Sequence, residues 1–153
     1  MSEVQILRRA PLTAVPERAI MRILEKAPDG GPKSPVQAYF LCEFKNLFSI
    51  ALLRFAEGGR EEFHTHAFDA LTWFLTGDMM EEKIDGTMTK YRRSLMPKVT
   101  TRDNNHRVKA TKTSWCLTIR GPWTETWTED NVETNTKTYF GHGRKVLSRA
   151  RVV

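Results

Sequence analysis

From Val36 to Phe140 the chain alternates apolar and polar residues in short runs broken by turn formers, the period-two pattern of strands with one face buried. The runs are V-Q-A-Y-F-L-C-E from Val36, L-F-S-I-A-L-L-R-F from Leu47, E-E-F-H-T-H from Glu61, D-A-L-T-W-F-L-T from Asp69, M-M-E-E-K-I from Met79, T-M-T-K-Y-R-R from Thr87, H-R-V-K-A from His106, S-W-C-L-T-I-R from Ser114 and T-K-T-Y-F from Thr136. Asp85-Gly86 predicts a two-residue hairpin turn between the fifth and sixth runs, because a positive φ there matches the twist of paired strands. So many short strands without intervening helices predict an all-β body, either a sandwich or a small jelly-roll barrel. Before it, Thr13 to Lys26 carries a Thr cap, Pro16 in the first turn, and Ile20, Ile23 and Leu24 at helical spacing, which predicts one short amphipathic helix. Ala27 to Pro35 holds three prolines and two glycines and is read as a loop. The expected organisation is an N-terminal arm over 1–35, a barrel over 36–140 and a basic tail over 141–153. For the tail, a peripheral strand, an arm onto a partner subunit and partial disorder all remain open. No internal repeat is present.

Composition narrows the class without changing that picture. The 153 residues suit one domain, and 40% hydrophobic with 27% charged residues excludes collagen-like, low-complexity and wholly disordered chains. No run of 18 apolar residues occurs and the N-terminus lacks the pattern of a signal peptide, so a cytoplasmic protein, neither membrane-spanning nor exported, is expected. Cys42 and Cys116 lie in apolar runs without partner spacing and read as buried thiols. The net charge of +6 favours anionic partners, but the basic residues are spread along the chain, which argues against nucleic acid.

The candidate chemistry lies in the histidines. His64 and His66 are two residues apart in a strand-like run, so both rings leave the same face. Such a pair often binds nothing. A third imidazole from another strand would complete a tripod for Fe, Mn, Ni or Zn, and His106 is the candidate, since alternation places it inward with Val108. His142, between two glycines, reads as a plain loop residue.

Gly58, His64, His66 and Gly77 fall in the register of a G-x5-H-x-H motif with its later glycine, and Pro97 and His106 follow in the order of a second motif. In these positions the chain resembles the cupin superfamily. Ala70 stands where that family's motif has Glu, Val99 where it has Gly, and Ala110 where it has Asn. The chain is also similar to small uncharacterised bacterial and phage cupin-like proteins, through H-T-H-A-F-D from His64, L-T-G-D-M-M-E-E from Leu75, H-R-V from His106 and W-C-L-T-I-R-G-P from Trp115, followed by Trp123 and Trp127. The resemblance spans about residues 58 to 128. It implies a cupin-type jelly-roll barrel, a metal site at His64, His66 and His106, and a homodimer.

Asp69 is read in three ways: a fourth metal ligand if it points inward with Leu71, Trp73 and Leu75, a carboxylate orienting a ligand histidine, or an Asx turn cap. Arg54 and Arg120 are substrate-binding candidates, because an inward arginine in a small barrel would hold a carboxylate or phosphate with two hydrogen bonds. Trp73 and Trp115 are expected in the core, while Trp123 and Trp127, in a polar run, imply a ligand, a lid role or, first among these, a subunit contact. The expected function is a cupin holding one divalent first-row ion and acting on a small polar or anionic molecule. An Fe(II)-dependent, dioxygenase-like oxidoreductase is one form of it. The alternative is a non-catalytic barrel that binds a metabolite or nucleotide-like anion. No Ser-His-Asp order, P-loop, Rossmann glycines, C-x-x-C or H-E-x-x-H is present.

Overall fold

The computed structural model describes residues 21–59 and 61–152. Thirteen strands run through them: β1 (Met21–Pro28), β2 (Val36–Phe44), β3 (Phe48–Phe55), β4 (Phe63–His64), β5 (Ala70–Thr76), β6 (Met79–Lys83), β7 (Met88–Tyr91), β8 (Lys98–Thr100), β9 (His106–Ala110), β10 (Ser114–Arg120), β11 (Trp127–Asn131), β12 (Thr136–Gly141) and β13 (Lys145–Arg151). They form two antiparallel sheets, one in the order β1-β2-β3-β10-β5-β8, the other β13-β12-β11-β4-β9-β6-β7. All nine of the alternating runs contain a strand. The expectation of an all-β body is met.

The helix is not. Met21 to Lys26, read as its second half, forms most of β1 and pairs antiparallel with β2 from Met21 opposite Phe44 to Pro28 opposite Gln37. The first part of the expected helix lies outside the described residues. Ile23 and Leu24 have helical spacing, but an open strand edge on β2 offers this segment a partner along its whole length, and that ladder outweighs a weak local preference. The loop of three prolines therefore shrinks to the turn between β1 and β2. The tail, whose fate was open, supplies β13, an edge strand paired with β12. Among the described residues the one helical turn is a 3-10 turn at His142–Arg144.

β6 and β7 form the expected hairpin, but not with a two-residue turn. Lys83 N–H donates to Thr87 O (2.9 Å), Asp85 Oδ1 accepts from Thr87 N–H (2.8 Å), and only Gly86 has a positive φ, of 86°. That is the three-residue type of hairpin loop, with glycine in the left-handed position.

The two sheets face each other across a core of Val36, Phe40, Leu53, Phe55, Phe74, Met79 and Cys116. Burial has pushed the Cys116 thiol up to about 12. On β3 the inward residues are Ser49, Ala51, Leu53 and Phe55, and on β10 they are Ser114, Cys116, Thr118 and Arg120. Their neighbours face out, so Arg54 is exposed on the outer surface of the sheet, away from the cavity lining. Outside as well are the half-buried Trp73 and Trp115, expected in the core, with Trp115 against Tyr39 at 5.5 Å. A β-bulge between Phe40 and Cys42 adds a residue to β2, after which Glu43 and Lys45 point inward.

Candidate metal centre and ligand cavity

His64 ends β4, the two-residue strand between β9 and β11, and pairs directly with His106, the first residue of β9. His66 follows where the chain leaves β4, its backbone N–H donating to Arg102 O (3.0 Å). This register brings the three rings together: centroids lie 4.8 Å apart for His64 and His66, 5.2 Å for His64 and His106, and 4.9 Å for His66 and His106. One potential ligand nitrogen from each lies within 4.8 Å of the others, the only such group among the described residues.

Each outer shoulder of the cluster has a hydrogen-bond acceptor. His64 Nδ1–H donates to Glu62 O (2.8 Å), and His106 Nδ1–H donates to the Glu81 carboxylate. Both arrangements leave Nε2 with its lone pair toward the third ring. His66 Nε2 and His106 Nε2 are 2.8 Å apart, so one proton lies between them. Two ligands on one ion, each about 2.1 Å from it in tetrahedral geometry, stand about 3.4 Å apart, so loading an ion requires that proton to leave and the pair to open by about half an ångström. Three imidazoles, two of them with their far nitrogens held by oxygens, are the donor set of a first-row divalent site, and the residues present fit one.

Glu81 was not singled out from the sequence. It is only 1% exposed, on the same face of β6 as Met79, and besides His106 it accepts from Tyr91 Oη (2.8 Å), Asn104 Nδ2 (3.2 Å) and the Lys98 ammonium. Burial works to raise its pKa, but the hydrogen bonds from His106, Lys98 and Tyr91 outweigh it and hold the carboxyl well below the usual range. His66 is pushed well below the ordinary histidine value by burial and by the two neighbouring imidazoles. His106 is lowered by burial, against the pull of Glu81. Neutral rings are what a metal requires. The available signal for Glu81 was the doubled Glu after Met79 in L-T-G-D-M-M-E-E.

Asp69 stands apart from this cluster. Its carboxylate, at the surface, accepts from Arg102 N–H (2.7 Å) and Arg102 Nη2 (3.1 Å), and these bonds lower its pKa. It ties together the chain before β5 and the loop that carries the Arg102 carbonyl beneath His66. The apolar face of β5 that would have turned it inward is the outer one: Leu71 and Leu75 are each 38% exposed, while Phe74 is buried.

The histidines open into a cavity of about 700 Å³ between the sheets. Glu61 lines it near His64, its pKa raised by burial. Away from the histidines the wall is basic and aromatic. Arg120, 3% exposed, lies with its guanidinium 4.6 Å from the Phe68 ring, and Phe68 is 5.8 Å from His66. Trp123 and Trp127 pack on each other at 5.6 Å and line this wall, with the Lys45 ammonium 5.0 Å from the Trp123 ring. His142 stays exposed outside it.

Comparison of the backbone with solved structures decides the fold. An RmlC-like cupin from Shewanella frigidimarina superposes with a TM-score of 0.53 at 14% identity, over 65% of this chain and 84% of that one. A sugar phosphate isomerase from a cupin superfamily, from Silicibacter pomeroyi, gives 0.55 at 14% identity over 86% and 87%. The fold is that of a cupin. The polyketide cyclase RemF from Streptomyces resistomycificus shares this cupin-like backbone, with a TM-score of 0.55 at 14% identity over 64% of this chain and 73% of that one. At these identities the likeness extends to the fold alone. No family model and no curated protein sequence matches the chain.

Proposed function

We propose that this cupin-fold protein holds one divalent first-row metal ion through His64, His66 and His106 and uses it to bind a small anionic molecule in the cavity. The observation that carries the reading is the convergence of three imidazole nitrogens within 4.8 Å at the wall of a 700 Å³ cavity, a size that suits a metabolite. With no carboxylate among the three ligands, a divalent ion would keep its full charge, which favours an anionic group beside it. When bound, the ion would supply Lewis acidity, or redox chemistry if it is iron. Glu81 holds the His106 ring with Nε2 inward, the Glu62 carbonyl does the same for His64, and Arg102 O anchors the backbone of His66. The His106 ring is buried, and the His64 and His66 rings are half-buried at the cavity wall. Glu61, beside His64 and pushed toward its protonated form, is placed to exchange a proton with a ligand in the cavity.

A non-catalytic binding barrel is the second reading, favoured by Ala70 at the position where the cupin motif has Glu. The deciding experiment is elemental analysis of untagged protein, followed by metal titration of the wild type and of His64→Ala, His66→Ala and His106→Ala. About one ion per chain, largely lost in each variant, is expected. Unchanged metal content across the three would sink the reading. Oxygen consumption by the Fe(II)-loaded protein with candidate carboxylic acids then separates a dioxygenase-like enzyme from a binding barrel.

A further inference from the structure

The far wall of the cavity contains an ion pair whose two members come from very different surroundings. Arg120 is the last residue of the central strand β10, with its side chain sealed between rings, 4.6 Å from the centroid of Phe68 and 6.0 Å from that of Phe40. Its Nη1 and Nη2 donate to Asp29 Oδ1 (3.2 Å) and Oδ2 (2.5 Å), the two-pronged geometry in which a guanidinium grips a carboxylate. Asp29 belongs to the turn after β1, where Gly30 and Gly31 take φ of 100° and 104° and the turn borders the cavity. Its side chain is 28% exposed against 4% for Arg120. The arginine is thus built into the frame, while its carboxylate is delivered by a surface turn.

Two further donors at this wall have no hydrogen-bond partner among the described residues: Arg120 Nε and Trp123 Nε1, both sealed from solvent. A buried N–H without an acceptor is destabilising, and two in one place point to another use for the donors. Phe68 touches both side chains, with Trp123 at 5.5 Å, and also reaches toward His66. Among the charged groups here, Arg22, Lys45 and Arg120 face Asp29 and Glu43, with Arg22 paired to Glu43 at 3.3 Å and Glu61 lying toward His64.

We propose that Arg120 is an oxyanion-binding residue for the cavity's ligand, and that Asp29 is its internal occupant, which a carboxylate or phosphate group displaces. The exchange is like for like: an incoming carboxylate takes the two Nη donors that Asp29 gives up. Displacement of the turn lets Phe68 shift and opens Nε and the Trp123 indole to the same group. A ligand then spans the cavity, its anionic end on Arg120 and its other end toward the three histidines. This refines the proposed function by naming the chemistry of one end of the ligand; it rests on that reading of the cavity as a ligand site, but not on the metal.

The two partners of a structural salt bridge lose stability together, whereas an occupant and its slot act in opposite directions. Calorimetric titration of metal-free protein with malonate and with inorganic phosphate separates these cases. Asp29→Asn should bind at least one probe about tenfold more tightly than the wild type, and Arg120→Gln about tenfold more weakly, the scale of one charged hydrogen bond. Trp123→Phe, which keeps the ring and removes only the N–H, should also weaken binding, and it serves if Arg120→Gln does not fold. Arg54→Gln, on the outer face, should bind as the wild type does. Which probe responds distinguishes a carboxylate slot from a phosphate slot. No response to either probe, or Asp29→Asn weakening binding as Arg120→Gln does, overturns the proposal. Metal titration of the same proteins keeps the two readings apart: intact metal binding without a probe response removes the oxyanion slot alone, and a probe response without metal binding removes the metal centre alone.

Discussion

Glu81 is the residue whose loss should spread furthest. It accepts hydrogen bonds from His106, Lys98, Tyr91 and Asn104 while almost wholly buried, so Glu81→Ala leaves a buried ammonium and an unheld imidazole. Stripping one partner from such a network destabilises by about 3–5 kcal/mol. Urea denaturation should register that loss, and in Glu81→Gln, which preserves shape, metal affinity should fall about tenfold to a hundredfold. Asp69→Asn tests the opposite case: an exposed tie to Arg102 should contribute under about 1 kcal/mol, with metal stoichiometry unchanged. A pH dependence follows from His66. Its folded pKa is lowered, so unfolding takes up a proton once the pH drops below the unfolded value of about 6.5. Its contribution is fully present above that value and is lost as the pH falls toward the folded pKa, with a slope of up to about 1.4 kcal/mol per pH unit. In metal-free protein, His66→Gln should therefore flatten the fall in stability between pH 6.5 and 5. An identical slope in wild type and variant would refute this.

At the scale of elements, short irregularities do the positioning. The bulge between Phe40 and Cys42 reverses the alternation of β2 and brings Glu43 and Lys45 into the cavity, where regular pairing would have left them on the opposite face. Gly77 performs a second such task at the junction of β5 and β6. Its φ is +85°, and a Cβ there would stand 2.6 Å from Thr113 O, so both the conformation and the space exclude a side chain. Gly77→Ala should lower stability by roughly 2 kcal/mol or more in urea unfolding. Because the variant disturbs the β5–β6 connection, and β6 carries Glu81, metal affinity should fall with it.

In the whole molecule the six-stranded sheet carries apolar residues on its outer face as well as in the core. The inner face of β10 and its neighbours includes Ser49, Thr72, Thr118 and Arg120, suited to a polar ligand, while the outer face presents Leu52, Leu71, Trp73, Leu75, Trp115, Leu117 and Ile119. Three strands about 4.8 Å apart and about 23 Å long give this face a footprint on the order of 330 Å², the apolar centre of a standard interface in which each partner buries roughly 800 Å². The occupant proposed for it is a second copy of the chain, offering the same apolar sheet face to face. Light scattering at micromolar concentration should give twice 17.7 kDa, and Leu71→Arg with Ile119→Arg should return a folded monomer. A 17.7 kDa wild-type particle would exclude the dimer.

Much of this protein was determined by local sequence alone. The nine alternating runs became strands because period-two burial depends on neighbours two residues apart, and the pairing of His64 with His66 on one side follows from the same pleat. His106 as the third imidazole was also legible, from its inward parity with Val108. Tertiary structure decided what parity cannot encode. Which face of a strand counts as inside depends on what the sheet encloses, and here a polar cavity put the Thr and Arg face of β10 inward and the Trp and Leu face outward. For that reason the inward reading of Asp69 is not the one the structure shows, and Trp73 and Trp115 lie on the outer face. Met21 to Lys26 became a strand because β2 offered a long-range partner that no local spacing announces. Glu81 meets His106 only through the β6–β9 register, which pairs Lys83 with His106 and Glu81 with Val108. Such registers depend on contacts far apart in the chain, and that separation is why the three clustered imidazoles could be read from the sequence while the groups that orient them could not.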